Sequence, residues 1–131
     1  MKRLVCLAAA ILLLLTSCGG KTMELTYKQI SQEEAKKMMD QYADAVILDV
    51  REAEEFAAGH IKGAVLLSVG SITEESAAEV IGEKDTMVLV YCRSGNRSKT
   101  AARILTENGY EVVELAKGYL GWYDAGKPIE K

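Results

Sequence analysis

The sequence predicts an α/β fold, a central parallel sheet of about five strands with helices on both faces. Three observations lead there. Short apolar runs alternate with helix-like segments from residue 25 onward. The runs Ala45–Val50, Ala64–Ser68 and Thr86–Tyr91 are nearly continuous in apolar residues, the pattern of strands covered on both sides. Turn and stop signals at Gly59, Gly82, Asn108-Gly109 and Lys117-Gly118 separate the segments.

The elements follow in order. Leu25 to Ile30 alternates loosely and reads as an edge strand. Ser31 with Glu34 forms a capping-box pattern. Ala35, Met38, Met39 and Tyr42 then recur at helical spacing, so a helix is expected over 32–41. Ala45–Val50 is the second strand and ends at Asp49-Val50-Arg51. Glu52 to Ala58 reads as a short helix with acids at its positive end. His60 to Gly63 turns into the third strand, Ala64–Ser68. Glu74 to Ile81 is helical, and Thr86–Tyr91 is the central strand. Ser98 to Glu107 is the next helix, with Ala101, Ala102, Ile104 and Leu105 facing inward. Tyr110–Leu115 is a strand, Tyr119 to Trp122 one helical turn, and the tail from Asp124 is polar.

The chain's amino end reads differently. Met1-Lys2-Arg3 is basic, and Leu4 to Leu15 is apolar. At about twelve residues this run is too short to span a bilayer, which needs roughly 20. It fits a signal-peptide apolar region. Leu15-Thr16-Ser17-Cys18 resembles the bacterial lipoprotein signal, which implies cleavage before Cys18 and lipidation of that residue. The expected organisation is a signal peptide over 1–17, a lipidated Cys18 and tether over 18–24, and one domain over 25–131. Lipid on Cys18 would anchor the domain to a membrane on the extracytoplasmic side, periplasmic or outer cell-surface. Gly19 is not the Asp that would signal retention in an inner membrane.

Charge excludes some partners. The chain has a formal net charge of −3, and loss of Lys2 and Arg3 would take it to −5. A mildly acidic domain is a poor partner for nucleic acid or for an anionic membrane surface. Any anion must therefore bind at a local site.

Of the three cysteines, Cys6 would leave with the signal and Cys18 would carry lipid. Cys92 is then the single free thiol of a protein outside the cytoplasm, where unpaired thiols are at risk of oxidation. Its place is informative. The run Val88-Leu89-Val90-Tyr91 ends at Cys92, and Arg93-Ser94-Gly95-Asn96-Arg97-Ser98 leads into a helix. A cysteine between a buried strand and a helix N-terminus sits where backbone N–H groups converge, which favours a thiolate and cradles an anion or polarised sulfur. Gly95 supplies a positive φ or a close backbone approach. Arg97 and Arg93 carry guanidinium forks suited to oxyanions. Asp49 and Arg51, at the end of a neighbouring strand, pair with each other or with this loop, chiefly as supports. His60 reads as a structural cap and Trp122 as packing. One His and one free Cys are too few for a metal site, and no dinucleotide or phosphate-loop motif is present.

Four stretches in order now carry a resemblance: Leu48-Asp49-Val50-Arg51, Gly59-His60-Ile61-Lys62-Gly63-Ala64, Tyr91 to Ser98, and Gly118-Tyr119-Leu120-Gly121-Trp122. They look like those of a single-domain rhodanese, across about residues 25–126. The resemblance implies a rhodanese-like fold and a sulfurtransferase without a cofactor. Cys92 would attack the outer sulfur of thiosulfate or a persulfide. The resulting Cys92 persulfide would pass its sulfur to cyanide or a thiol. Arg93, Ser94, Gly95, Asn96, Arg97 and Ser98 would bind the substrate and hold the charge of the persulfide. Donor and acceptor would be small molecules or a partner protein, and a monomer suffices.

Lys62 replaces a usual proline of this family, and Lys117 the first of two usual glycines. The alternative is a persulfide carrier or docking module that loads sulfur without turnover. A poorer one is a phosphatase or arsenate reductase. Four residues separate Cys92 from Arg97, where the cysteine phosphatases have five, and the shorter loop suits one sulfur atom better than a phosphoryl group.

Overall fold

The structure is a computed structural model and describes residues 26–131. The expected signal segment, Cys18 and its tether lie outside the described residues. The five-stranded sheet is parallel throughout, as expected, in the order β1 (Lys28–Ile30), β6 (Glu111–Leu115), β5 (Met87–Tyr91), β2 (Val46–Asp49), β4 (Val65–Leu66). β5 is the central strand and β1 an edge.

Strand alternation sends residues to two cores. Val88, Val90 and Cys92 face one side and pack with Leu48, Ala101, Ala102, Leu105 and Val112. That side is covered by α3 (Glu74–Val80) and α4 (Asn96–Glu107). Leu89 and Tyr91 face the other and pack with Ile30, Ala35, Met38, Leu115 and Trp122. There α1 (Gln32–Gln41) and α5 (Gly118–Asp124) cover the sheet, with Phe56 of α2 (Ala53–Ala58) at its margin. The expected capping box holds: Ser31 Oγ accepts from the Glu34 amide and Glu34 Oε1 accepts from the Ser31 amide, both at 3.1 Å.

Several boundaries differ from the sequence reading. The third strand shrinks to Val65–Leu66, and the next residues form a 3-10 turn over Val69–Ser71. Glu52 lies outside its helix as the N-cap residue. The polar tail contains a strand, β7 (Ile129–Glu130), which pairs antiparallel with β3 (His60–Ile61). Both strands are two residues long, too short for a period to declare itself. The turn at Tyr119 is a full helix, α5. Finally, α4 begins at Asn96 and not at Ser98. Gly95 is its N-cap at φ 126°, a left-handed position that turns the chain directly into the helix.

Candidate active site

Cys92 follows β5 directly and lies at the carboxyl end of the sheet, where parallel α/β folds place their ligands. Its side chain is buried, with 1% exposure. The Gly95 amide donates to Cys92 Sγ at 3.1 Å, and the Ser98 hydroxyl stands 3.4 Å from the same sulfur. The earlier helix start places the free first-turn amides of α4 at Asn96, Arg97 and Ser98. The loop proper is therefore Cys92–Gly95, a narrower cradle than the sequence indicated. Arg93, Ser94 and Asn96 are exposed on its rim.

A second helix end braces the loop. The Tyr119 amide donates to Cys92 O at 2.8 Å and the Leu120 amide to Arg93 O at 3.1 Å. The backbones approach so closely that a Cβ on Gly118 would collide with Cys92 O. This contact is what the Gly118-Tyr119-Leu120-Gly121-Trp122 motif provides. Trp122 itself is core, its indole N–H donating to Pro128 O at 2.8 Å.

Arg97 stands at the mouth, held by both carboxylate oxygens of Glu55 at 2.7 and 2.9 Å. The Arg97 hydrogen bond is the main reason the Glu55 carboxyl is pulled down to about 2. Asp49 and Arg51 pair with each other: Arg51 Nη2 lies 2.7 Å from Asp49 Oδ2 and Nε 3.0 Å from Oδ1. Both are buried. Arg51 also donates to Gly59 O at 2.7 Å and lies 4.4 Å over the Tyr119 ring. Burial opposes its charge, but the Asp49 hydrogen bond and charge outweigh that and raise it. Tyr91 donates to Asp49 Oδ2 at 2.6 Å, and burial, then the Asp49 charge, pushes its phenol well above the usual range. Together these groups tie the ends of β2 and β5. His60 has Nδ1 2.8 Å from Phe56 O and stacks on the Phe56 ring, so it caps α2.

Next to the loop an open pocket of about 250 Å³ is lined by Arg51, Glu55, Gly59, Arg93, Tyr119 and Leu120. Arg93 is its exposed cation, whereas Arg51 is paired with Asp49 and Glu55 adds a carboxylate. Among the described residues no cluster of three or more His, Cys, Asp or Glu could hold a metal ion.

Sequence reasoning missed Glu55, Tyr119 and Glu114. Glu114 is wholly buried on β6 and accepts from Ser98 Oγ at 2.5 Å and from Gln29 Nε2 at 2.7 Å. An acid inside the apolar run Val112-Val113-Glu114-Leu115 was the available signal.

The fold and the site define a class: a parallel α/β domain that presents one buried cysteine on a short amide-lined loop at a helix N-terminus. The rhodanese-like domain profile matches residues 31–125. The thiosulfate sulfurtransferase GlpE of Haemophilus influenzae is 34% identical over 107 residues, covering 81% of this chain and 97% of that one. The putative sulfur carrier protein YrkF of Bacillus subtilis is 36% identical over 95 residues, 72% of this chain and 50% of that one. The solved rhodanese-like domain of the Anabaena protein Alr3790 superposes with a TM-score of 0.71 at 27% identity, over 80% of each chain. This chain belongs to the rhodanese-like domain family.

Proposed function

We propose that this protein is a sulfurtransferase that moves a sulfane sulfur from thiosulfate or a persulfide to a thiophilic acceptor through Cys92. The carrying observation is the Gly95 amide on Cys92 Sγ at 3.1 Å, beside the free first turn of α4. Amides aimed at a sulfur stabilise the negative charge of a thiolate and of a persulfide. The relatives named for thiosulfate sulfurtransfer and sulfur carriage support the same chemistry.

In the first step the Cys92 thiolate forms an S–S bond to the outer sulfur of thiosulfate. The donor's own S–S bond breaks, and sulfite leaves with the electron pair. The loop then holds a Cys92 persulfide anion. In the second step cyanide or a thiolate bonds to the outer sulfur, and the Cys92 thiolate departs with the electron pair, which closes a two-step covalent cycle. Arg93 and Arg97 at the mouth would meet the anionic donor. The role of Asp49, Arg51 and Tyr91 is to hold the strand ends that position the loop.

Thiocyanate release from thiosulfate and cyanide tests this reading. The native chain should turn over and Cys92→Ser should not; equal activity in the two would refute it. One observation favours a second reading, a persulfide carrier: the likeness to the putative sulfur carrier protein YrkF. A carrier would load one sulfur from thiosulfate and release it only to a partner protein. We further propose a site of action at the outer face of a membrane, anchored through Cys18, on the resemblance of Leu15-Thr16-Ser17-Cys18 to a lipoprotein signal. Growth in labelled palmitate tests the anchor, with label on the native chain and none on Cys18→Ser.

A further inference from the structure

Lys117 is the one non-glycine residue at positive φ among those described, at 65°. It is the N-cap of α5, in the left-handed region that glycine fills without strain. Its side chain is exposed and takes part in no ion pair among the described residues. Strain kept at a surface position with no charge partner inside the fold points outward, to something the lysine meets in solution.

What lies beside it gives the direction. A Cβ on Gly121 would come within 2.7 Å of Lys117 Cβ, so the lysine stem starts along the first turn of α5. Leu120 and Tyr123, three apart on that helix, are 37% and 58% exposed, two of the four large apolar side chains left in solvent among the described residues. The Tyr119 ring lies beside that of Tyr123, with centroids 6.1 Å apart. Trp122, on the other face of α5, is core. A helix that is apolar on both faces is ordinarily covered on both.

This face is fixed to the nucleophile, because α5 is tied to the backbone of Cys92 and Arg93 by the Tyr119 and Leu120 amides. Arg93 lines the open pocket together with Leu120, is exposed, and is likewise in no ion pair among the described residues. Neighbouring charges are matched: Arg51 with Asp49, and Glu55 with Arg97. Asp124 ends α5, about 10 Å along the helix from Lys117. The rim near the loop therefore carries two unmatched cations beside an apolar patch.

We propose that Lys117, Arg93, Leu120 and Tyr123 form the docking surface for an acidic segment of the partner protein that exchanges sulfur with Cys92. The proposal rests on the sulfur-transfer reading and names the kind of partner its site takes. Carboxylates of the segment meet the two cations, and an apolar side chain covers Leu120 and Tyr123, which brings a partner thiol to the loop. Rim charges of this kind steer the encounter and fix its orientation more than they add affinity. Lys117 has no part in the chemistry; it selects the partner.

The test loads the full chain with thiosulfate and follows discharge of the Cys92 persulfide to three short peptides. Each has one cysteine and one leucine, flanked by glutamates, glutamines or lysines, and rates are compared per thiolate. The acidic peptide should react about tenfold faster than the lysine peptide, and the gap should close in high salt. Lys117→Gln should slow the acidic peptide about threefold and leave discharge to cyanide unchanged, and Lys117→Arg should restore the rate. Tyr123→Ser should slow the acidic and glutamine peptides alike. Lys117→Gly, free of the strain, gives the same reading should Lys117→Gln fail to fold. Equal rates for the three peptides, or an acidic peptide indifferent to Lys117, overturns the proposal. So does an equal dependence on Lys117 with mercaptopropionate, an anionic thiol too small to cover the patch. A chain that takes up no sulfur contradicts the sulfur-transfer reading, and docking is then read from the binding of dye-labelled peptides with serine in place of cysteine. Tighter binding of the acidic peptide by the native chain than by Lys117→Gln supports the surface, and equal binding overturns it.

Discussion

Glu55 holds both terminal nitrogens of Arg97 at the mouth of the Cys92 loop, at 2.7 and 2.9 Å. A sulfur-donor anion that binds Arg97 must therefore compete with a carboxylate already in place. Removing that competitor in Glu55→Gln should lower the KM for thiosulfate about threefold with kcat nearly unchanged, the scale expected for a partly exposed ion pair. A raised KM would mean that Glu55 instead presents Arg97 to the substrate.

The same pair sets a pH window. Glu55 is held below its usual 4.5, at about 2, by the Arg97 hydrogen bond. A carboxylate lowered on folding contributes stability above its unfolded value, and that contribution is lost as pH falls toward the folded value. The urea midpoint of the native chain should exceed that of Glu55→Gln by a small, constant margin above about pH 5, and the margin should vanish as pH approaches about 2. A margin that changes between pH 6 and about 9 would assign the pair a different titration.

Gly118→Ala should damage both stability and activity. Gly118 has φ 54°, and an added Cβ would collide with Cys92 O and stand 2.7 Å from Arg93 O. The left-handed strain and the clash together should cost about 2 kcal/mol or more. Relief of the clash must move the catalytic loop, so kcat/KM should fall further than the loss of folded protein explains. Denaturation and steady-state rates on the same sample separate the two effects.

Lys117→Gly should act the other way. Lys117 is the only non-glycine residue at positive φ among those described, at 65°. Relief of roughly 1–2 kcal/mol of left-handed strain exceeds the roughly 0.5–1 kcal/mol of added chain entropy. The melting temperature should rise by a few degrees, as a gain of about 0.5–1 kcal/mol implies for a domain of this size. No rise would mean that the Lys117 side chain contributes a compensating contact.

Much of this fold was legible because β2 and β5 are covered on both faces and read as unbroken apolar runs. The Ser31–Glu34 box and Gly109 marked helix ends by local chemistry alone. α4 starts at Asn96, two residues before the expected Ser98. The Ser98 hydroxyl is spent on Glu114, and Gly95 turns the chain without a side chain. β3 and β7 are each two residues long and exist only because they meet across separations of 68 and 70 residues in sequence. At the site, Cys92, Asp49 and Arg51 declared themselves by residue type at strand ends. Glu55 and Glu114 did not. An acid in a helix's first turn reads as a solvated charge, and one in a strand gives no hint of the hydroxyl above it. Their partners lie 42 and 16 residues away and are brought near only by the fold.

The most direct test of the central claim is the mass of the intact chain after exposure to thiosulfate, with thiocyanate release measured on the same sample once cyanide is added. The expected result is one added sulfur atom on the Cys92 peptide, removed by reductant or by cyanide, with catalytic thiocyanate release. Cys92→Ser should show neither. A folded chain with a free Cys92 thiol that gains no sulfur and yields no thiocyanate would contradict the account.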